Sequence, residues 1–151
     1  MIEVNERIDV IASPDAVWEI LSNPHEVVEC VPGATLGELQ EDGFYDAGLI
    51  VKFGPARVTF HARFMLELDQ VTHSGTVTSR GKDNQGGTKI RANMKFRVVP
   101  QDTNLGSSIF VDANVEVSGR LSTIVESGAS LVVGRMTKEF TEHLETRLNK
   151  V

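Results

Sequence analysis

The feature that most constrains the fold is a change in hydrophobic spacing after Gly119. Between residues 33 and 119 apolar and polar residues alternate, as in strands with one buried face. From residue 121 onward the apolar residues recur every three to four positions, as in an amphipathic helix. A helix over residues 121–149 would be roughly 43 Å long at 1.5 Å per residue. Because a stripe of that length needs a whole sheet to cover it, the sequence predicts strands that curve around one long helix.

Two short helices are predicted near the N-terminus, between the first strand and the others. Pro14 follows Ser13, and Pro24 follows Asn23. In each pair the first side chain can cap a helix, and the proline suits the first helical turn. Both segments then continue with apolar residues at helical spacing, which indicates that each helix turns one face toward a core.

Period-two alternation identifies six strand segments, at residues 2–12, 45–53, 58–68, 76–82, 88–99 and 108–117. Glu6 is an exception, because this carboxylate falls on the apolar face of the first segment. Phe110 falls on the polar face of the last, which indicates a bulge, a shift in register or an exposed contact. Residues 1–151 are therefore expected to form one α+β domain, with a curved antiparallel sheet of about seven strands.

Composition and charge exclude several classes of protein. A formal charge of −6 and a pI near 5.2 argue against binding to nucleic acids. No apolar run approaches the ~20 residues of a membrane-spanning helix, and the charged first ten residues do not resemble a signal peptide. Cys30 is the single cysteine, so no internal disulfide can form. The expected location is the cytoplasm, with transient peripheral contact at the inner face of the membrane left open.

The predicted interior combines large aromatic residues with alanines and glycines. These residues either interdigitate at native density or leave an apolar cavity between the sheet and the long helix. Gly128 and Gly134 lie inside the helix, where each costs about 1 kcal/mol relative to alanine, so close packing or a cavity mouth is expected to compensate. The expected cavity lining is Trp18, Leu21, Tyr45, Phe53, Phe60, Ala62, Phe64, Phe96, Gly128, Val132 and Met136.

Three sequence motifs stand out: PDAVWEILSNP at residues 14–24, ECVPGA at residues 29–34 and KFGP at residues 52–55. Together they resemble the CoxG family, named after the CoxG subunit of carbon monoxide dehydrogenase. The resemblance implies a helix-grip fold of the START-like (SRPBCC) superfamily. It also implies a non-catalytic accessory protein for a molybdenum hydroxylase of the carbon monoxide dehydrogenase type, with a lipid or quinone bound in the cavity. Hydrogen bonds to the polar end of such a ligand are expected from Tyr45, His61, Thr78 or Ser79.

An enzyme and a docking module without ligand remain as alternatives. The sequence contains no metal-binding histidine spacing, nucleophile elbow or phosphate loop, so no catalytic residue, metal or cofactor is expected. Cys30 is interpreted as a small buried hydrophobe. Asp112 and Glu116 would enter the pocket only if the strand register slipped by one residue. A docking surface would use the exposed apolar residues Phe44, Ile50, Met65, Val99 and Phe110.

Overall fold

The computed structural model describes residues 1–102 and 106–149, and its elements follow the predicted order. The strands are β1 Ile2–Val10, β2 Ala34–Leu39, β3 Tyr45–Phe53, β4 Ala56–Asp69, β5 Ser74–Asp83, β6 Thr88–Pro100 and β7 Ser107–Gly119. The helices are α1 Pro14–Leu21, α2 Pro24–Val27 and α3 Ser122–Leu148, and a short 3-10 helix at Val28–Cys30 follows α2. Within the turn predicted at residues 100–106, residues 103–105 lie outside the described residues.

The seven strands found in the described ranges form one antiparallel sheet in the order β1-β7-β6-β5-β4-β3-β2. Each strand from β2 onward pairs with the next along the chain, and β1 closes the far side by pairing with β7. The β3–β4 turn is tight, with Phe53 opposite Ala56. Gly54 occupies this turn with a φ of +65°, a conformation that glycine adopts without steric cost. The predicted helix-grip fold with one sheet and one long helix is confirmed.

Both predicted helix caps are present before α1 and α2. The side-chain oxygen of Ser13 accepts a hydrogen bond from the backbone N–H of Ala16 at 3.2 Å. Asn23 accepts one from the backbone N–H of His25 at 3.0 Å. These bonds satisfy backbone donors that the first helical turn leaves free. Three side chains of α1 are buried, namely Val17, Trp18 and Leu21.

Helix α3 lies against one face of the sheet and contacts β1, β3 and β7. Its buried residues are Val125, Ala129, Val132 and Leu144. The apolar spacing from residue 121 onward also predicts that Ile124 and Leu131 belong to the buried stripe, and that prediction is wrong, because these side chains are 44% and 83% exposed. Each lies one residue, or about 100° of rotation, from a buried neighbour and therefore falls off the buried face.

Both ends of α3 are held by polar contacts with distant segments. At the first turn the backbone N–H of Leu121 donates to Oγ1 of Thr88 at 2.9 Å. In the last turns Nδ1 of His143 lies 3.2 Å from the carbonyl oxygen of Cys30. Arg147 also forms an ion pair with Glu26 of α2.

The outer face of the sheet keeps the predicted register through β7. Phe110 pairs regularly with Arg7 of β1 and Arg97 of β6, so it marks neither a bulge nor a slip. The two guanidinium groups lie 5.6 and 4.4 Å from the centroid of its ring, within the range of cation–π attraction. Asp112 and Glu116 are exposed on the same face.

The buried apolar side chains form two clusters. The first joins α1, β1, β6, β7 and the end of α3, and it contains Val10, Trp18, Ile109 and Leu144. The second lies where β3 and β4 meet the middle of α3. Its buried members are Val51, Val58, Phe60 and Val132.

Candidate functional site

A cavity of about 440 Å³, open to solvent, lies between the sheet and α3. Every strand contributes to its wall, together with α1, the α2–β2 segment and α3. Nearly all lining side chains are apolar. The volume lies within the range of about 300–1,000 Å³ that is typical of small-molecule sites. Of the two arrangements that the sequence allowed, a retained cavity is therefore the one that forms.

The inward-facing side chains of the central strands face this cavity. Phe64, Leu66 and Val77 are only half-buried although they line it. Met94 also lines the cavity and is 36% exposed. In a solid core such residues would contact protein atoms on all sides. Their remaining exposure shows that the space between the two clusters is not filled by side chains.

The segment between α2 and β2 forms one wall of the cavity. Gly33 anchors this segment, because its carbonyl oxygen accepts a hydrogen bond from the N–H of Ile50 at 2.9 Å. Its φ is +77°, and a Cβ atom there would collide with the carbonyl oxygen of Ile50. Only glycine fits this position without strain. The lining residues from α2 and this segment are Pro24, Val27, Val28, Val31 and Pro32.

Part of the predicted lining lies in the cavity wall. These residues are Leu21, Ala62, Phe64, Phe96 and Met136. They come from α1, β4, β6 and the middle of α3, so the wall is assembled from distant segments. Their contact with a ligand stays a prediction.

The other predicted lining residues pack outside the cavity. Trp18 lies in the first cluster, where its indole N–H donates to Oε1 of Gln70 at 2.6 Å. Phe60 and Val132 are buried in the second cluster, and Phe53 packs against it. Gly128 lies against Phe53. Tyr45 stacks on Phe64 of the cavity wall, with ring centroids 5.2 Å apart, but does not itself line the cavity.

Polar side chains are few in the cavity wall. In the part of the chain that the structure describes, they are Glu6, Thr35, Ser79 and Thr137. Ser79 was among the residues predicted to bind the polar end of a ligand. Glu6 was not, although its position on the apolar face of β1 was the signal that could have identified it.

Two other residues predicted to bind the polar end point away from the cavity. His61 and Thr78 are exposed and do not line it. Each lies next in sequence to a lining residue, Ala62 and Ser79 respectively. Because successive side chains of a strand point to opposite faces, both lie on the outer face of the sheet.

Cys30 is fully buried at the end of the 3-10 helix. Burial raises the pKa of its thiol, because the surrounding protein disfavours the thiolate. A nucleophilic cysteine needs the opposite shift, so this residue acts as a small hydrophobe in the first cluster. Within residues 1–102 and 106–149, no three His, Cys, Asp or Glu side chains gather closely enough to hold a metal ion.

Solved structures of other proteins share this architecture. A conserved protein from Geobacillus kaustophilus is 17% identical, with a TM-score of 0.84 over 99% of this chain and 96% of that one. A START superfamily protein from Mycobacterium smegmatis is 17% identical, with a TM-score of 0.59 over 98% and 97%. The Zhui aromatase/cyclase from Streptomyces sp. R1128 is 16% identical, with a TM-score of 0.63 over 99% and 94%. The chain therefore shares its fold with these three proteins.

The family follows from the sequence. The sequence model of the CoxG subunit of carbon monoxide dehydrogenase matches residues 7–149. The chain therefore belongs to the CoxG family. No curated protein matches it significantly. Among the described residues, no helix is both long and apolar enough to cross a membrane.

Proposed function

We propose that this protein binds a hydrophobic ligand of lipid or quinone type in the cavity and carries it without chemical change. The open apolar cavity between the sheet and α3 is the observation that supports this function. Transfer of an isoprenoid or acyl chain from water into such a wall gains about 25 cal/mol per Å² of apolar surface buried. A START superfamily fold and CoxG membership are consistent with this role.

The scarcity of polar groups supports a carrier over an enzyme. General acid–base catalysis needs positioned proton donors and acceptors around the reacting atoms. Among the described residues, no hydrogen bond joins any two of the polar side chains that line the cavity. Similarity to an aromatase/cyclase shows a shared fold alone, since function depends on the site.

The proposed partner is a molybdenum hydroxylase of the carbon monoxide dehydrogenase type, as the family description suggests. The protein would act in the cytoplasm and deliver its ligand between this enzyme and the inner face of the membrane. Such a carrier must shield the apolar chain from water during transfer, and an apolar cavity between the sheet and α3 is suited to that task.

Organic extraction of the purified protein tests ligand binding. We expect a stoichiometric lipid or quinone, detected by mass spectrometry. Ala62→Trp places a large ring in the cavity wall and should strongly reduce the recovered ligand. His61→Trp is the matched control, because the adjacent side chain points to the outer face.

Both variants require melting curves, since overpacking a filled site would cost about 1–3 kcal/mol. Unchanged ligand recovery from a folded Ala62→Trp variant would contradict binding in this cavity. Absence of any lipid or quinone from the wild-type protein, with no uptake of added ligand, would contradict the function as a whole.

A docking role has separate support from the outer face of the sheet. Two rows of basic side chains cross β4, β5 and β6 on directly paired positions: His61, Lys82 and Lys89, and Arg63, Arg80 and Arg91. Like charges at paired positions destabilise a sheet. Arg63 forms ion pairs with Asp42 and Asp46, and Arg91 lies opposite Glu116, so the basic surface on this chain of formal charge −6 is centred on Arg80, Lys82 and Lys89. This arrangement favours docking on an acidic surface of the partner enzyme.

The basic rows differ from the apolar docking surface expected from sequence. Phe44 is half-buried, and the guanidinium groups of Arg63 and Arg80 lie 5.4 and 5.7 Å from its ring centroid. Phe110 is likewise covered by arginines. Because arginines cover Phe44 and Phe110, these two rings do not form part of a continuous exposed apolar patch.

Charge reversal tests this docking surface. Lys82→Glu combined with Lys89→Glu should weaken binding to the purified molybdenum hydroxylase of the same organism, with the larger effect at low salt. Lys138 is exposed on α3. Lys138→Glu is therefore the control for the effect of reversing a single lysine charge away from this surface. Equal affinity of the double variant and the wild type would rule out docking through this face.

A further inference from the structure

We propose that Glu6 recognises the polar end of the bound ligand, and that this end carries a hydroxyl group that donates a hydrogen bond. This inference rests on the proposed function. It narrows the ligand class to amphiphiles with an O–H donor, such as a prenylated hydroquinone or a lipid alcohol, and disfavours an oxidised quinone, which has only acceptors.

Glu6 lies in the cavity wall at a position where an apolar side chain would suit the fold. Its neighbours on the inward face of β1 are Val4 and Ile8, which also line the cavity. On the paired strand β7 it faces Val111, another lining residue. The Glu6 side chain is half-buried, so its carboxylate loses part of its hydration to apolar neighbours, which costs free energy unless a partner compensates.

No protein partner of Glu6 is found in the described residues. None of the hydrogen bonds and ion pairs among them involves its side chain. The adjacent Arg7 points to the outer face and pairs with Asp9 at 3.0 Å. Glu6 is also the one charged side chain among the lining residues that the structure describes. The carboxylate therefore faces the cavity with its acceptor sites free for a ligand.

An ionised carboxylate is an acceptor without a donor. It forms short, strong hydrogen bonds with hydroxyl groups, and it offers nothing to the carbonyl oxygen of a quinone. A hydroquinone or alcohol in the cavity can thus pair with Glu6, whereas the corresponding ether or quinone leaves the carboxylate unpaired. Hydrogen bonds to charged groups are strong enough to change affinity by about tenfold or more.

The experiment compares two pairs of probes in which O-methylation removes the donor. One pair is a short-chain prenylated hydroquinone and its dimethyl ether, and the other is a long-chain alcohol and its methyl ether. Affinities are measured by titration calorimetry. We expect the wild type to prefer the hydroxyl form of at least one pair by about tenfold. The pair with the larger preference distinguishes an aromatic headgroup from a lipid alcohol.

Glu6→Leu should bind both members of each pair with similar affinity, because the apolar cavity remains and the acceptor is gone. Glu3→Leu is the matched control on the outer face of β1 and should keep the wild-type preference. If Glu6→Leu does not fold, Glu6→Gln decides the question. Its carboxamide both donates and accepts, so the ratio of the two affinities should fall toward one.

The inference would be overturned, and the carrier function left intact, by equal affinity of the wild type for both members of each pair, or by a preference that survives at full size in the folded Glu6 variants. A wild-type preference for the ether forms would also overturn it. If no probe of either pair binds the wild type, the proposed function itself fails, which distinguishes the two failures.

Discussion

Two glycines inside α3 have different surroundings. A Cβ atom on Gly128 would lie 3.0 Å from Cδ1 of Phe53, which is tighter than an ordinary contact. On Gly134 it would meet nothing within 4 Å, and this residue is exposed. Close packing against β3 thus accounts for Gly128, and neither glycine lines the cavity. Nothing in the structure explains Gly134.

Alanine substitutions should separate these two positions. Gly134→Ala should raise the free energy of unfolding by about 1 kcal/mol, because alanine loses less backbone entropy in a helix. Gly128→Ala should gain less, or lose stability, since the ring of Phe53 has to move. Urea denaturation of both variants measures the difference. Equal increases in the free energy of unfolding of the two variants would show that the Phe53 ring moves aside without an energetic cost.

At the scale of elements, the β5–β6 turn and Thr88, which follows it, form hydrogen bonds with the backbone at the start of α3. Asp83 is almost fully buried there, and its Oδ1 accepts hydrogen bonds from the N–H groups of Gln85 and Gly87 at 3.1 and 2.9 Å. Burial raises the pKa of Asp83, but hydrogen bonding by the backbone N–H of Gly87, by the hydroxyl of Thr88 and by further backbone donors outweighs burial and holds the pKa below its usual value. The ionised form therefore stabilises the turn.

The pKa of Asp83 predicts a dependence of stability on pH. Because the folded-state pKa lies below the unfolded value of about 3.9, the stabilisation is present above that value and disappears as the pH falls through the folded-state pKa. Asp83→Asn should lower the free energy of unfolding at neutral pH, and the difference from wild type should shrink in acid. Denaturation at several pH values measures it. If the difference in the free energy of unfolding between Asp83→Asn and the wild type does not change with pH, the ionised carboxylate of Asp83 does not stabilise the turn.

Thr88 supplies the cap that α3 lacks in its own sequence. Leu121 precedes the helix and makes no capping hydrogen bond with its side chain. The fully buried Thr88 hydroxyl accepts from the N–H of Leu121 instead. Thr88→Val should therefore cost about 1–3 kcal/mol, because a backbone donor loses its acceptor. Thr88→Ser keeps the oxygen and should cost clearly less in the same denaturation assay.

At the scale of the whole molecule, the cavity separates the two buried clusters. Ile8 and Phe96 of the first cluster line it, and so do Leu49 and Met136, which pack against the second. A ligand in this space would contact both clusters and add the apolar contacts that the protein itself does not supply. Binding is thus expected to couple to global stability.

Ligand binding should raise the melting temperature. At a free concentration about 100 times its Kd, a ligand that binds only the folded state stabilises it by about 2.7 kcal/mol. For a chain of this size that corresponds to a rise of roughly 5–10 °C. Differential scanning calorimetry with the extracted ligand measures the shift. Ala62→Trp should show a much smaller rise, and an equal rise would place the ligand elsewhere.

Spacing alone predicted most of the fold. The two capped helices, the strand register through Asp112 and the long helix after Gly119 are local consequences of period, proline and capping residues. The cavity lining was predicted only in part. Phe60 and Phe64 share one face of β4 with the same alternation, yet Phe60 is buried in the second cluster and Phe64 lines the cavity.

The sequence by itself determined the order of elements, the inward face of the six strands that alternation identified and the CoxG resemblance, because these depend on neighbours along the chain. Only the tertiary structure decided where the interior is packed and where it is open. That outcome depends on the separation of α3 from each strand, which no local pattern encodes. Because this part of the interior is open, Glu6, an exception in the sequence pattern, is the one charged residue that lines the cavity among the described residues.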